Sequence, residues 1–327
     1  MIRNLGIVGL TFALLLVQAP PKEADVRDRH LIRRSLDRLA QDPVIVKVGV
    51  VNYEAGSFAL DLRAEDFVIE EDGERQKPTR FLREERPLSI LLMIDSSGSM
   101  RPIIPALVEV LSNGLKRLKP DDEIALISFN EAVDILQDFT KNKGLVEEKL
   151  RGVLARRIAH TRQALFQAAT HMLKATAADS RRVIVVLTDN LPAMPVDVLS
   201  QSVVMQQLSA SASVVCGIIV SKPLLHPNLS FGDPFKKPTD DITPYVVETG
   251  GILETIKKGN VEDISARLVK TIDAFRNYYW IEYLSTNSKR DGKHRKIKVT
   301  LSPGVKKSGG NLTVLAKRGY YAPGDQK

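Results

Sequence analysis

Asp95, Ser97 and Ser99 alternate with single intervening residues in the segment Ile94-Asp95-Ser96-Ser97-Gly98-Ser99-Met100, directly after an unbroken apolar run. That spacing lets one loop present a carboxylate and two hydroxyls together. A second apolar run ends in Leu187-Thr188-Asp189-Asn190, and a helical pattern opens at His160-Thr161. Asp95, Ser97, Ser99, Thr161 and Asp189 thus offer two carboxylates and three hydroxyls. These are hard oxygen donors, suited to Mg2+ or Mn2+ far better than to a thiophilic metal. In a simpler reading Ser97 and Ser99 only satisfy the amino terminus of the following helix, as serines often do. Three separately placed loops with matching oxygens weigh against it.

For three such loops to meet, the strands that precede them must run parallel and end on one edge. The pattern from Leu88 to about Asn277 supplies this, with apolar strands at Leu88–Ile94, Glu123–Phe129, Arg182–Thr188 and Ser213–Val220. Helices alternate with them near Pro105–Leu118, Leu145–Val153, Thr161–Ala177, Val196–Ser209 and Val261–Phe275. Continuous apolar strands of this kind have both faces covered, so an α/β fold with a doubly wound, mainly parallel, Rossmann-like sheet is expected. Ligands then sit beyond the carboxyl ends of the strands. The stretch from Ser221 to Thr243, with Pro223, Pro227, Pro234 and Pro238, reads as a long loop.

The flanks follow the period of strands. Val44–Asn52, Phe58–Leu62, Phe67–Glu71 and Thr79–Arg83 precede the α/β region; Tyr278–Leu284, Arg295–Leu301 and Leu312–Ala316 follow it. Each flank alone has too few strands to bury a core, so together they are expected to form a smaller β-sandwich-like domain with the α/β domain inserted between them. The expected boundaries are 1–19 for a signal peptide or anchor, 20–42 for a helical linker, and 43–86 for the first β segment. The α/β domain takes 87–276, and the second β segment 277–323. Tyr278, Trp280 and Tyr320 are expected as core or rim of the small domain.

At 327 residues, 43% apolar and 26% charged, the chain can bury one large and one smaller core. Arg3, the apolar run Leu5–Val17 and Gln18-Ala19-Pro20 have the order of a secretory signal, with Pro20 placed where it would obstruct cleavage after Ala19. Export to the periplasm or beyond is expected, and membrane association through an uncleaved segment stays open. The single Cys216 makes no internal disulfide and reads as a core residue. The net charge of +8 is dispersed except at Lys289-Arg290-Asp291-Gly292-Lys293-His294-Arg295-Lys296-Ile297-Lys298. That cluster straddles an Asp-Gly turn and is expected to coat the solvent face of a hairpin, so no nucleic-acid partner is expected.

The five-part set Asp95-x-Ser97-x-Ser99 with Thr161 and Asp189 resembles the metal-ion-dependent adhesion site of von Willebrand factor type A domains, over about Leu88 to Phe275. Glu65-Asp66-Phe67, Glu71-Asp72-Gly73, the basic cluster and Lys317-Arg318-Gly319-Tyr320-Tyr321-Ala322-Pro323 look like the bacterial group of VWFA-related acidobacterial domain proteins. The resemblance implies that Ser97 and Ser99 bind the metal directly and Thr161 directly or through water. Asp95 and Asp189 act mainly through waters or bonds to the hydroxyls. It also implies an open metal position that accepts an Asp or Glu side chain of a protein ligand. Asn190 and His160 stand where glycine is common in that family, and both bear on loop shape.

Other chemistries lack their residues. An aspartyl-phosphate phosphatase wants a second carboxylate two residues after the first, where Ser97 stands. Ser96-Ser97-Gly98-Ser99 is not the Gly-x-Ser-x-Gly elbow of a hydrolase, and no Gly-rich nucleotide loop is present. The chain is therefore not expected to be an enzyme. The remaining alternative is a cell-envelope scaffold that binds through its β domain, with the metal only structural.

Overall fold

The computed structural model describes residues 42–52, 57–83, 86–156, 158–177, 180–191, 199–220, 241–256, 262–308 and 311–324. The expected signal, the helical linker and most of the proline-rich loop lie outside the described residues. The chain forms β1 (Val44–Asn52), β2 (Ser57–Phe58), β3 (Phe67–Glu71), β4 (Glu74–Gln76) and β5 (Pro78–Leu82). There follow β6 (Leu88–Asp95), α1 (Ile104–Leu115), β7 (Glu123–Phe129), β8 (Val133–Thr140), α2 (Lys143–Leu150), α3 (Thr161–Met172) and β9 (Arg181–Thr188). Then come α4 (Gln201–Ala210), β10 (Val214–Val220), α5 (Thr243–Thr249), β11 (Leu253–Ile256) and α6 (Glu262–Arg276). The chain closes with β12 (Tyr279–Tyr283), β13 (His294–Leu301), α7 (Pro303–Ser308), β14 (Leu312–Ala316) and β15 (Gly319–Tyr321).

The large sheet has the order β11-β10-β9-β6-β7-β8. All its pairings are parallel except β7 with β8. Every residue of β6 is buried because helices cover both faces. Its side chains alternate between two cores, as a pleated strand requires. Leu88, Ile90, Leu92 and Ile94 pack with Leu107 and Leu111 of α1 and Leu268 and Ile272 of α6. Leu91 and Met93 face Leu165 and Ala168 of α3 and Leu208 of α4. The strand order reverses around β6, between β9 and β7, and in doubly wound sheets the crevice at such a reversal holds ligands. Among the described residues no helix is long and apolar enough to cross a membrane.

The flanking strands interleave into two further sheets, β14-β1-β12-β5 with β2 on β1, and β15-β13-β3-β4. Val46, Val48 and Val50 of β1 share a core with Phe67, Ile69, Tyr279, Ile281 and Ile297. The chain crosses between this pair of sheets and the α/β body twice, before Leu88 and after Arg276. Asp122 joins both crossings, accepting from Leu88 N at 2.8 Å and ion-pairing with Arg276. Asp95, at the other end of β6, is roughly 23 Å from there along an extended strand.

Two expectations need correction. The basic cluster is not on a hairpin: β12 pairs with β1 and β5, whereas β13 pairs with β3 and β15, so the strands on either side of Asp291-Gly292 belong to opposite sheets. Lys289, Arg290, Lys293, His294, Lys296 and Lys298 are exposed as expected, whereas Arg295 is buried and ion-paired to Asp291 at 2.8 Å. The strand expected over Phe58–Leu62 is only Ser57–Phe58. Beyond it Leu62 N donates to the Tyr279 hydroxyl at 3.0 Å, a side-chain partner that takes the place of a strand ladder.

Candidate metal site

Asp95 ends β6 and is buried, held from two sides. Ser97 N donates to its Oδ1 at 2.8 Å, and Thr188 Oγ1, the last side chain of β9, donates to its Oδ2 at 2.6 Å. The loop after Asp95 folds into a short 3-10 turn over Gly98–Met100. Ser97 precedes that turn but makes no side-chain cap bond to it. Its Oγ instead lies 3.0 Å from Ser99 Oγ. The two serines are thus turned toward each other rather than spent on a helix terminus.

Asp189 follows β9. Its Oδ1 accepts from Leu191 N at 3.1 Å, while its buried Oδ2 has no hydrogen-bond partner. Burial pushes the Asp95 carboxyl up to about 6 and the nearby Asp189 charge adds to the push, against the bonds from Thr188 and Ser97. Thr161 is the first residue of α3 and is buried. It reaches this edge through its neighbour: His160 N donates to Asn130 O at 3.1 Å, and Asn130 Nδ2 to Ser96 Oγ at 2.9 Å. Arg156 N also closes on Ser96 O at 2.7 Å, which draws the preceding loop against the same turn.

Asn190 has φ 53, in the left-handed region that glycine enters freely and asparagine tolerates best among the rest. Its side chain uses that geometry, donating to Asp241 Oδ1 at 2.8 Å and accepting from Ile242 N at 3.0 Å. Sequence reasoning missed Asp241, Asn130 and Thr188. Thr188 adjoins Asp189 and could have been included on position alone. Asp241 and Asn130 carry no local signal.

A divalent cation fits this donor set. The buried Asp189 Oδ2 lacks a partner, a second carboxylate adjoins it, and the remaining oxygens are neutral hydroxyls. Among the described residues no group of three or more His, Cys, Asp or Glu side chains could hold a metal, and this set has only two carboxylates. Asp95, Ser97, Ser99, Thr161 and Asp189 would hold the ion.

A family model described as the von Willebrand factor type A domain matches residues 90–191, a span that contains all five residues. No curated protein matches the sequence. Among solved structures the chain is similar to the conserved hypothetical protein BatB from Bacteroides thetaiotaomicron, at 14% identity over 57% of this chain and 98% of that one, TM-score 0.42. It is also similar to an aerotolerance-related membrane protein from Bacteroides fragilis, at 15% identity over 57% and 98%, TM-score 0.41. A third is the vWF domain of the type V pili tip protein Mfa5 from Porphyromonas gingivalis, at 25% identity over 35% and 43%, TM-score 0.28. With the matched segment enclosing β6, β9 and the loops that gather Asp95, Ser97, Ser99, Thr161 and Asp189, the chain carries a von Willebrand factor type A domain.

Proposed function

We propose that this protein binds another protein through a divalent cation, Mg2+ or Mn2+, held by Asp95, Ser97, Ser99, Thr161 and Asp189, and that the partner presents an Asp or Glu side chain. The observation that carries the reading is the buried, partnerless Asp189 Oδ2 beside the Asp95 carboxylate. Such a pair of acids is costly in a protein interior and is stabilised by a cation. Held by these residues, the ion would supply an electrophilic position for a partner's carboxylate.

The chain's own residues divide the remaining work. Thr188 and Ser97 N orient Asp95, and the bond from Asn190 to Asp241 holds the residue directly after Asp189. Arg101 and Arg156, both exposed, flank the Ser96–Ser99 turn, with backbone bonds to Gly98 O and Ser96 O. Positive charge there favours an acidic partner surface. The reading includes export, from the Arg3, Leu5–Val17 and Gln18-Ala19 pattern.

Titration calorimetry with Mg2+ and Mn2+ tests the site, and capture of envelope proteins by the immobilised protein, with Mg2+ or with EDTA, tests the partner. One saturable metal heat that disappears in Asp95→Ala is expected, together with partners that elute in EDTA. Metal heat surviving in the Asp95→Ala, Asp189→Ala double variant would place the ion elsewhere. Partners retained in EDTA would favour a scaffold that binds through the β sheets.

A further inference from the structure

A cavity of about 280 Å3 lies away from the metal loops, between the amino ends of the large sheet and the flanking strands. Lys47 enters it from β1, Arg182 from β9, and Lys317 from the turn between β14 and β15. None of the three has a carboxylate partner among the described ion pairs. Lys47 Nζ donates only to Ala212 O at 3.0 Å, and Arg182 Nη1 to Ser211 O at 3.1 Å. Lys317 Nζ stands over the Tyr320 ring, 5.4 Å from its centroid. Arg86 lies over the Trp280 ring at 4.4 Å and adds a fourth cation beside the cavity. Glu248 is the one acid among the lining residues. The remaining wall is largely apolar, from Ile45, Leu208, Val214 and Trp280.

We infer that this cavity is a binding site for a small organic anion with an apolar body, whose head group meets Lys47, Arg182 and Lys317 while its body lies against Leu208, Val214 and Trp280. Three half-buried cations drawn from separate elements onto one cavity repel one another, and an anion among them relieves that repulsion. The volume sits just below the range of pockets that enclose drug-sized ligands, so the occupant is small. A carboxylate or a phosphate head group satisfies the same cations, and the apolar wall separates such an amphiphile from a bare inorganic anion. The site is independent of the metal loops, which lie at the other end of β6.

Trp280 is the single tryptophan of the chain and lines the cavity, so its emission reports on occupancy. The full-length protein is titrated with octanoate, with inorganic phosphate and with octanol. A saturable change with octanoate, at least tenfold weaker with phosphate and with octanol, is expected. Lys317→Gln and Arg182→Gln should each weaken octanoate about tenfold, and Asp95→Ala should leave it unchanged. Thermal melts of each variant establish that it is folded, and should Arg182→Gln fail, Lys317→Gln, which removes no described hydrogen bond, decides the case. No saturable response to octanoate, or one undiminished in Lys317→Gln, would overturn the assignment. Equal binding of phosphate would remove the role of the apolar wall, and equal binding of octanol that of the cations.

Discussion

Thr188 and Asp95, 93 residues apart in sequence, are joined by a 2.6 Å hydrogen bond in which the threonine hydroxyl at the end of β9 donates to the carboxylate at the end of β6. The bond crosses the crevice where the strand order reverses and sets the direction of the other Asp95 oxygen. Thr188 Oγ1 also accepts from Asn190 N at 2.9 Å, so one hydroxyl aligns both carboxylate loops. Replacing Thr188 by the near-isosteric valine should weaken Mg2+ binding by about 10- to 100-fold, the usual cost of losing a group that orients a ligand. Calorimetry decides it, and unchanged affinity in Thr188→Val would deny the threonine that role.

The same geometry makes Asp95 and Asp189 mutually unfavourable when no cation joins them. Asp95→Asn removes one of two adjacent buried charges and keeps the size of the side chain. In EDTA the variant should melt above the parent protein, and added Mg2+ should stabilise the parent alone. Melting curves with and without Mg2+ test both halves. A variant that melts lower in EDTA would mean that the hydrogen bonds to Asp95 outweigh the repulsion.

Burial pushes Lys47 down to about 7, helped by Lys317, Arg181, Arg182 and Arg86. Its folded pKa therefore lies below the unfolded value of 10.5, so the unfolded chain holds more protons between those values and stability rises with pH across that window. Below about pH 7 the penalty is complete. Lys47→Met should accordingly raise the melting temperature at pH 7, with the gain shrinking toward pH 10. A difference that stays constant over that range would show that Lys47 is not the titrating group. Glu248, Arg86, Arg181, Arg182 and Lys317 are kept intact in both proteins so that their own charges cancel in the comparison.

Glu71, buried at the end of β3, accepts from the Tyr283 hydroxyl at 2.8 Å, the Tyr320 hydroxyl at 3.1 Å and Ser285 Oγ at 2.5 Å. These three donors belong to the second β segment, so one carboxylate ties the two flanks together. Glu71→Ala takes the acceptor from the buried Tyr283 hydroxyl and the half-buried Tyr320 hydroxyl, while Ser285 Oγ keeps Asn287 O at 3.2 Å, and about 2 kcal/mol or more of stability should be lost. Urea unfolding measures this. A loss under about 1 kcal/mol would mean that the hydroxyls find other partners.

The residues proposed to hold the ion could be picked out in the sequence because the pattern around them is local. An apolar run covered on both faces followed by Asp95-x-Ser97-x-Ser99 specifies a buried parallel strand and its loop within a dozen residues, and β7 and β10 read the same way. β8 did not, because as an edge strand it mixes half-buried and exposed residues and lacks a continuous apolar run. Four-residue β11 is too short to show a period.

What tertiary structure alone decided is everything that depends on residues far apart in the chain. The assignment of β12 and β13 to opposite sheets follows from the partners each finds in β1 and β3, more than two hundred residues earlier, and no turn signal at Asp291-Gly292 reports it. Asp241 reaches Asn190 from 51 residues away, and Lys47, Arg182 and Lys317 meet only after the two flanks have paired. Hydrophobic period and turn chemistry are written over a few residues each, whereas the placing of a charge beside another, and hence its protonation and its capacity to hold a ligand, is settled by the packing of whole elements.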